Sequence, residues 1–499
     1  MLRSLLDAAA GVDPDRIVLT LNGRPITMND VQRRADALAR KLVDHGADAC
    51  VLLAVNGPVL PLTLMACATA GIPVAPLNYR LPDNDIAALL RQFTKPLTVV
   101  DSDQLGRIPA DLTTDEWVRL SESPAEPLDL FPDPESTAVV LFTSGTTSAP
   151  KPVPLTQSNL GTYALNTIDL CSADAEECSL VSVPPYHVAG VGSAISNLLT
   201  GRRAAYLPRF TPRGWLDVVT EQAVTSAMVV PTMLARIVEE LGGNVFTGNL
   251  KQLSYGGAPT APSVLHKALE LFPGTGFTNA YGLTETSSTL ALLTPDDHRA
   301  AISSNDADIQ ARIGSVGRPV PGVEAQIRHD DGKVLDSGEI GVLWVRGQQI
   351  SGRYLGRASA LDEHGWFCTR DGAHMDADGY LFIVGRVDDT IIRGGENVAP
   401  AEIEKVLSDH PTVRDVGVVG LPDAEWGQRI AAGVVPVGDD FDIDTFLTWA
   451  RPLLRSSRTP DVVIVLDELP YGPTGKLLRR QLENRFLEPT PASSDRSSQ

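Results

Sequence analysis

Residues 28–55 read MNDVQRRADALARKLVDHGADACVLLAV, and within this stretch the apolar pattern changes period. From 28 to 46, Val31, Ala35, Leu38, Ala39, Leu42 and Val43 recur at the three- and four-residue spacing of one helical face. VLLAV at 51–55 is then an unbroken apolar run with the length of a buried strand. The apolar segment 59–71 predicts a second helix and Ile72–Leu77 a second short strand, so helices and strands alternate. That alternation predicts an α/β fold with layered, partly parallel sheets.

Working outward, the Pro/Glu/Asp-rich residues 123–136 read as a loop leading into a strand, TAVVLF, at 137–142. From 311 to 350 short apolar runs, VEAQIR and GVLWVRG, are separated by Gly and Asp turns, which predicts a β-rich subdomain. After Arg386 the texture changes again. PAEIEKVLSDH is helix-like, with Pro400 favourable in a first turn, and is followed by the strand-like runs VRDVGVVGL and IAAGVVPV. A helix at about 444–456 and a strand VVIVL at 462–466 complete a small α+β module. The expected organisation is a large N-terminal domain over 1–387, a small C-terminal domain over 388–488, and a disordered Pro/Ser-rich tail at 489–499.

The 499 residues are 43% hydrophobic and carry a net charge of -20, with 42 Lys and Arg against 62 Asp and Glu. A field of that sign repels nucleic acid and anionic membranes, so neither is an expected partner. The N-terminus lacks the long apolar core of a signal peptide, and no stretch approaches the roughly 18 apolar residues of a membrane span, so a cytoplasmic protein is expected. The five cysteines form no CxxC pair, which points away from a zinc site or disulfide framework and towards small buried hydrophobes.

Four segments carry chemistry. Thr143-Ser-Gly-Thr-Thr-Ser-Ala-Pro-Lys151 follows the strand at 137–142, and its hydroxyls and backbone N–H groups can converge on an anion with Lys151 adding charge. It is no Walker loop, because GxxxxGK[ST] is absent. In Asn279-Ala-Tyr-Gly-Leu-Thr-Glu-Thr286, Tyr281 offers a face for stacking a base, and Thr284 and Glu285 offer the hard oxygens that magnesium prefers; a polar turn with a core tyrosine is the alternative. In the third segment, from Gly365 to Asp371 and from Gly379 to Asp389, Asp371 suits ribose hydroxyls and Arg386 suits ribose or phosphate, or the two form a surface ion pair. Pro470-Tyr-Gly-Pro-Thr-Gly-Lys476 presents one of only eight lysines on a stiff loop.

Taken together and in this order, the four segments resemble the adenylate-forming superfamily of acyl-CoA synthetases, carrier-protein adenylation domains and firefly luciferases, over about residues 10 to 485. GRVDDTIIRGGENVAPAEIEKVL, at 385–407, is similar to the hinge and start of the mobile C-terminal domain in halobenzoate-CoA ligases, and TSGTTSAPKPVPLTQ to oxalate-CoA ligase relatives. The resemblance implies that Thr143, Ser144, Gly145, Thr146, Thr147 and Lys151 close over the β and γ phosphates of ATP. Gly256, Gly257 and Ala258, from SYGGAP, would lie beside the adenine with Asn279 and Tyr281. Thr284 and Glu285 would contact phosphate and Mg2+, and Asp371 and Arg386 would hold the ribose. Lys476 would bridge the substrate carboxylate and the α-phosphate, and His187, in PPYHVAGVG, would line the acyl pocket and gate the thiol tunnel. Gly394 and Trp426 match positions bordering that tunnel, with a core aromatic as the alternative for Trp426, and Asp388 matches the hinge. The chain departs from the family pattern at Ser148 and Pro152, where glycine is usual, so the Pro150-Lys151-Pro152 segment is expected to be stiff.

The implied reaction is ATP-dependent activation of a small carboxylic acid to an acyl-adenylate, followed by transfer to the thiol of CoA. Transfer to the phosphopantetheine of an acyl carrier protein or to another nucleophile is the alternative, and a non-catalytic nucleotide sensor is a further one. Val188, Ala189, Gly190 and Leu283–Thr289 would shape the acid pocket, and the absence of Arg or Lys among them favours an apolar or aromatic monoacid over a diacid.

Overall fold

The structure is a computed structural model that describes residues 1–21, 23–143, 150–393, 396–438, 440–454, 458–472 and 476–487. The expected tail at 489–499 lies outside them. The chain divides into two compact units. The first comprises Met1–Thr260, Val264–Thr369 and His374–Phe382, and the second Ala261–Ser263, Arg370–Ala373 and the chain from Ile383 onward.

The opening helix of the α/β pattern runs Met28–His45. It starts in a capping box, with the Thr27 and Asp30 side chains each accepting from the other's backbone N–H, and stops at Gly46, whose φ of 65° is open to glycine at little cost. Val31, Ala35, Leu38, Ala39 and Leu42 are buried as expected, but Val43 is 43% exposed and lies off that face. The following strand is Ala49–Leu53, buried along its whole length. Helix Val59–Ala70 is buried nearly all round, which it tolerates because Thr63 and Thr69 return their hydroxyls to the carbonyls of Val59 and Met65, each at 2.8 Å.

These elements build a six-stranded sheet in the order Leu112–Thr113, Pro96–Val100, Ala49–Leu53, Val74–Pro76, Thr137–Thr143, Lys151–Thr156. All neighbours are parallel except the last pair, which is antiparallel. Pro152 and Pro154 therefore sit on an edge strand, the place in a sheet where a missing N–H costs least. A seven-stranded sheet runs Arg203–Tyr206, Cys178–Val181, Ser226–Val229, Gln252–Gly256, Gly276–Leu283, Ser288–Leu293, Arg318–Pro319, with the first five strands parallel. The β-rich region expected from 311 onward contains Glu324–Arg328 and Gly341–Arg346, which join Phe367–Met375 and Leu381–Arg386 in a four-stranded sheet.

In the second unit, Val413–Asp423 and Gly427–Pro436 form a long hairpin whose side chains alternate between two cores. Val418, Ile430, Ala432 and Val434 face helices Pro400–Leu407 and Ile443–Ala450, while Val419, Leu421, Ala431 and Val435 pack with Leu469 and Leu482. Helix Ile443–Ala450 is shorter than the expected 444–456: Arg451 still has helical backbone, at φ -54° and ψ -45°, but Pro452 has no N–H to carry the ladder further. Cys50, Cys67 and Cys178 are buried, while Cys171 and Cys368 keep partial access to water.

Candidate active site

In the first unit, strand Thr137–Thr143 returns through strand Lys151–Thr156, with Thr143 directly opposite Lys151. Ser144, Gly145, Thr146, Thr147 and Ser148 lie outside the described residues. The Lys151 ammonium stands over the Tyr354 ring, 5.6 Å from its centroid, and Tyr354 Oη donates to Glu285 Oε1 at 2.8 Å. The structure thus groups Lys151 and Glu285 through a tyrosine that the sequence analysis did not single out.

Glu285 sits in a 3-10 turn, Thr284–Thr286, held from several sides. Thr286 Oγ1 donates to the carbonyl oxygens of Leu283 and Ser288 and accepts from the Leu283 N–H. Gln349 Nε2 donates to the carbonyls of Thr286 and Thr289, and the Ser351 N–H donates to the Glu285 carbonyl. Ser287 and Ser288 take φ of 58° and 106°, conformations that non-glycine residues adopt only under such constraint. Gly282 permits the turn to close, since a Cβ there would come within 1.7 Å of the Ser288 carbonyl oxygen.

Gly256 ends strand Gln252–Gly256 opposite Ala280, where a Cβ would meet the Ala280 carbonyl oxygen at 2.0 Å. Gly257 follows at φ 87°, and Ala258 is half-buried. Asn279 donates from Nδ2 to the Ser315 carbonyl at 3.2 Å, and Tyr281 is half-buried two residues further along strand Gly276–Leu283. Gly256, Gly257, Ala258, Tyr281 and Thr284 therefore lie at the carboxyl ends of adjacent parallel strands, where open α/β sheets leave a crevice for ligands.

His187 caps helix Val188–Thr200, which begins in a tight approach where a Cβ on Gly190 would meet the Pro184 carbonyl at 2.5 Å. The residue retains some water contact, yet its Nε2 is shut away and has no hydrogen-bond partner among the described residues. Burial, with a smaller push from Arg80, holds its pKa down to about 3, so the ring is neutral at physiological pH. The buried Tyr186 hydroxyl beside it also lacks a hydrogen-bond partner among the described residues, and its ring meets that of His187 edge to face at 4.6 Å.

In the second unit Arg386 pairs with the buried Asp371, Nη1 to Oδ1 at 3.1 Å, with Asp371 only 4% exposed. This is more enclosed than a surface ion pair. Arg370, immediately before Asp371, takes φ 60° and pairs with Asp388. Lys476 stands on a hairpin closed by Gly472 N–H to the Lys476 carbonyl and Leu478 N–H to the Pro470 carbonyl, each at 2.8 Å. Tyr471 Oη donates to Asp415 Oδ1 at 3.0 Å, and Leu477 packs onto Gly417. The Lys476 ammonium still reaches water, but it is held below its ordinary pKa by the protein around it and then by Arg386, against the pull of Asp389 and Asp371. Trp426 is 47% exposed at the tip of the long hairpin, stacked by Arg393 at 5.7 Å, and is not a core aromatic. Gly394 lies outside the described residues.

Among the described residues no group of three or more His, Cys, Asp or Glu could cage a metal. The Glu285 carboxylate with the Thr284 hydroxyl instead suits a hard cation that takes most of its ligands from phosphate oxygens and water, as Mg2+ does. Among the described residues, no helix is long and apolar enough to cross a membrane.

Residues 6–355 match the family model of the AMP-binding enzymes, and residues 402–476 that of the AMP-binding enzyme C-terminal domain. The chain is 31% identical to a fatty acid--[acyl-carrier-protein] ligase of Streptomyces coeruleorubidus, over 95% of this chain and 94% of that one. It is 30% identical to an indoleacetate--CoA ligase of Aromatoleum aromaticum, over 98% and 100%. Its fold is similar to that of the O-succinylbenzoate coenzyme A synthetase of Bacillus subtilis in complex with ATP and magnesium ion, with a TM-score of 0.81, 28% identity, and 96% and 99% of the two chains covered. The chain belongs to the AMP-binding enzyme family, within the adenylate-forming superfamily of acyl- and aryl-CoA ligases.

Proposed function

We propose that the protein activates an apolar or aromatic monocarboxylic acid with ATP and passes the acyl group to the thiol of CoA. One observation carries the reading: two cations, Arg386 and Lys476, are drawn together beside the buried Asp371 in an arrangement suited to a ribose and a phosphate. Asp371 would accept from the ribose hydroxyls while Arg386 keeps its carboxylate aimed. Gly256, Gly257 and Ala258, with Asn279 and Tyr281, would form the adenine-binding edge, where the lack of side chains at the two glycines allows close approach. Thr143, Ser144, Gly145, Thr146, Thr147 and Lys151 would receive the outer phosphates.

In the first half-reaction a carboxylate oxygen attacks the α-phosphorus, the bond to the β-phosphate oxygen breaks and pyrophosphate leaves. Lys476 would stabilise the charge gathering on the α-phosphoryl oxygens while orienting the carboxylate. Glu285 and Thr284 would hold the Mg2+ that neutralises phosphate charge when bound. In the second half-reaction a thiolate attacks the acyl carbon and the bond to AMP breaks. Trp426 and Gly394 would border the pantetheine route, and neutral His187 would line the acyl pocket without adding a charge to it. We further propose that the division between residues 1–387 and 388–488 is functional, with Asp388 as its hinge.

Transfer to a carrier protein is the second reading, favoured by the 31% identity to an acyl-carrier-protein ligase against 30% to a CoA ligase. A panel of carboxylates, scored by pyrophosphate release alone, with CoA and with a holo carrier protein, tests both. CoA-dependent AMP formation with an aromatic or apolar monoacid is expected. Release of adenylate to the carrier protein alone would overturn the assignment to CoA, and absence of pyrophosphate release with every acid would overturn adenylation.

A further inference from the structure

We propose that Tyr354 is a positioning residue, a phenol spacer that keeps the Glu285 carboxylate and the Lys151 ammonium apart and aimed; this rests on the roles given to those two residues above. Two opposite charges that border one phosphate site have a competing state in which they pair with each other. Such a pair would have to be broken before either could meet a metal or a phosphate. Among the described residues no ion pair joins Lys151 to Glu285; each meets the same ring at a different place. The carboxylate takes the hydroxyl at the ring edge, 2.8 Å from Oη, and the ammonium lies over the face, 5.6 Å from the centroid.

The spacer is itself fixed. In the segment that carries it, the Leu355 N–H donates to the Pro152 carbonyl at 3.0 Å and Ser351 Oγ donates to the Pro154 carbonyl at 2.6 Å. The Ser351 N–H reaches the Glu285 carbonyl at 2.9 Å. Residues 351–355 are thus bonded both to the edge strand that begins at Lys151 and to the turn that presents Glu285. Donation to a carboxylate draws the phenol towards phenolate character and enriches its ring, which strengthens the attraction of the face for an ammonium. The two contacts reinforce each other, yet each is weaker than a dehydrated ion pair and can be exchanged for a ligand.

The test uses Mn2+ as the metal and α,β-methylene ATP, which cannot release pyrophosphate, as the nucleotide. Mn2+ binding to the enzyme–nucleotide complex is read by electron paramagnetic resonance, and nucleotide binding without metal by calorimetry. Tyr354→Phe keeps the ring and removes the hydroxyl, and is expected to weaken Mn2+ about tenfold, as loss of a hydrogen bond to a charged group does, with metal-free nucleotide affinity within about twofold. Tyr354→Leu removes the ring as well and is expected to weaken both. Mn2+ affinity unchanged in Tyr354→Phe while Glu285→Gln binds Mn2+ more weakly overturns the spacer and leaves the metal assignment standing. Unchanged affinity in Glu285→Gln as well overturns both. Identical losses in the Phe and Leu variants overturn the role of the ring face towards Lys151. Equal melting temperatures for wild type and Tyr354→Phe keep the first comparison free of a folding defect.

Discussion

Gly282→Ala tests whether the rigidity of the turn around Glu285 is what makes it useful. The new Cβ would stand 1.7 Å from the Ser288 carbonyl oxygen, 2.6 Å from the Ser288 carbonyl carbon and 3.0 Å from Thr289 Cα. All three are backbone atoms, so no side chain can swing away, and the turn must retreat by more than about an ångström to restore ordinary contact. Ser288 and Thr289 are bonded to Thr286 Oγ1 and Gln349 Nε2, so the retreat pulls on the turn that carries Glu285. Overpacking of this kind costs about 1–3 kcal/mol, which a protein of ordinary stability survives. A displacement of about 1 Å in a group that positions reactants costs on the order of a hundredfold in rate. The expected result is a folded variant with a melting temperature lowered by a few degrees and carboxylate-dependent ATP–pyrophosphate exchange down by about two orders of magnitude. Raising Mg2+ should recover part of the loss if Glu285 is the group displaced. An alanine variant with exchange within about twofold of wild type and an unchanged melting temperature would show that the turn yields freely and refute the reasoning.

Lys476→Ala is expected to suppress the same exchange by on the order of a hundredfold or more, about 3 kcal/mol, while ATP binding by calorimetry is retained; exchange at the wild-type rate removes the lysine from the chemistry. Asp388→Pro is expected to slow thioester formation far more than adenylation, measured as separate half-reactions in single turnover, and equal slowing of both would remove the hinge role. His187 has a folded pKa depressed to about 3 against about 6.5 when unfolded, so the stability it contributes is fully present above pH 6.5 and is lost as pH falls towards 3. The melting temperature of His187→Gln should therefore fall less between pH 7 and pH 4.5 than that of wild type, and parallel profiles would show that the imidazole is not held neutral.

Where local periodicity decides structure, the sequence was readable. The helix–strand alternation between Met28 and Pro76, the strand Thr137–Thr143 and the two strands that pair as the long hairpin of the second unit follow from apolar spacing over a few residues; the pairing itself does not. Val43 was misplaced because it falls at the border of the helical stripe, where a turn of some tens of degrees decides between core and water. The candidate site was readable only where motifs mark it. Tyr354 meets Glu285 across 69 residues, and no pattern within its own segment carries that information. The left-handed Arg370 is equally silent in sequence, because an arginine gives no sign that its backbone is held at φ 60° next to Asp371.

A net charge of -20 is hard to reconcile with a phosphate-binding protein until the cations of the second unit are compared with one another. Arg479 is half-buried, which alone would depress its pKa, yet Glu404 and Asp389 hold it above its ordinary value; its charge is answered within the fold. Lys476 has the opposite balance, held below its ordinary value by its surroundings and by Arg386 despite Asp389 and Asp371. A structural ion pair has no reason to leave a cation in that condition. An anion-binding site of the kind proposed would have one, because the repulsion between Lys476 and Arg386 would be relieved when a phosphate arrives. Exposed charges elsewhere oppose binding only weakly, since their fields fade beyond about 8 Å at physiological salt. The acidity of the whole chain therefore opposes long phosphate polymers, which must lie across many exposed carboxylates, far more than a single nucleotide held among a few cations.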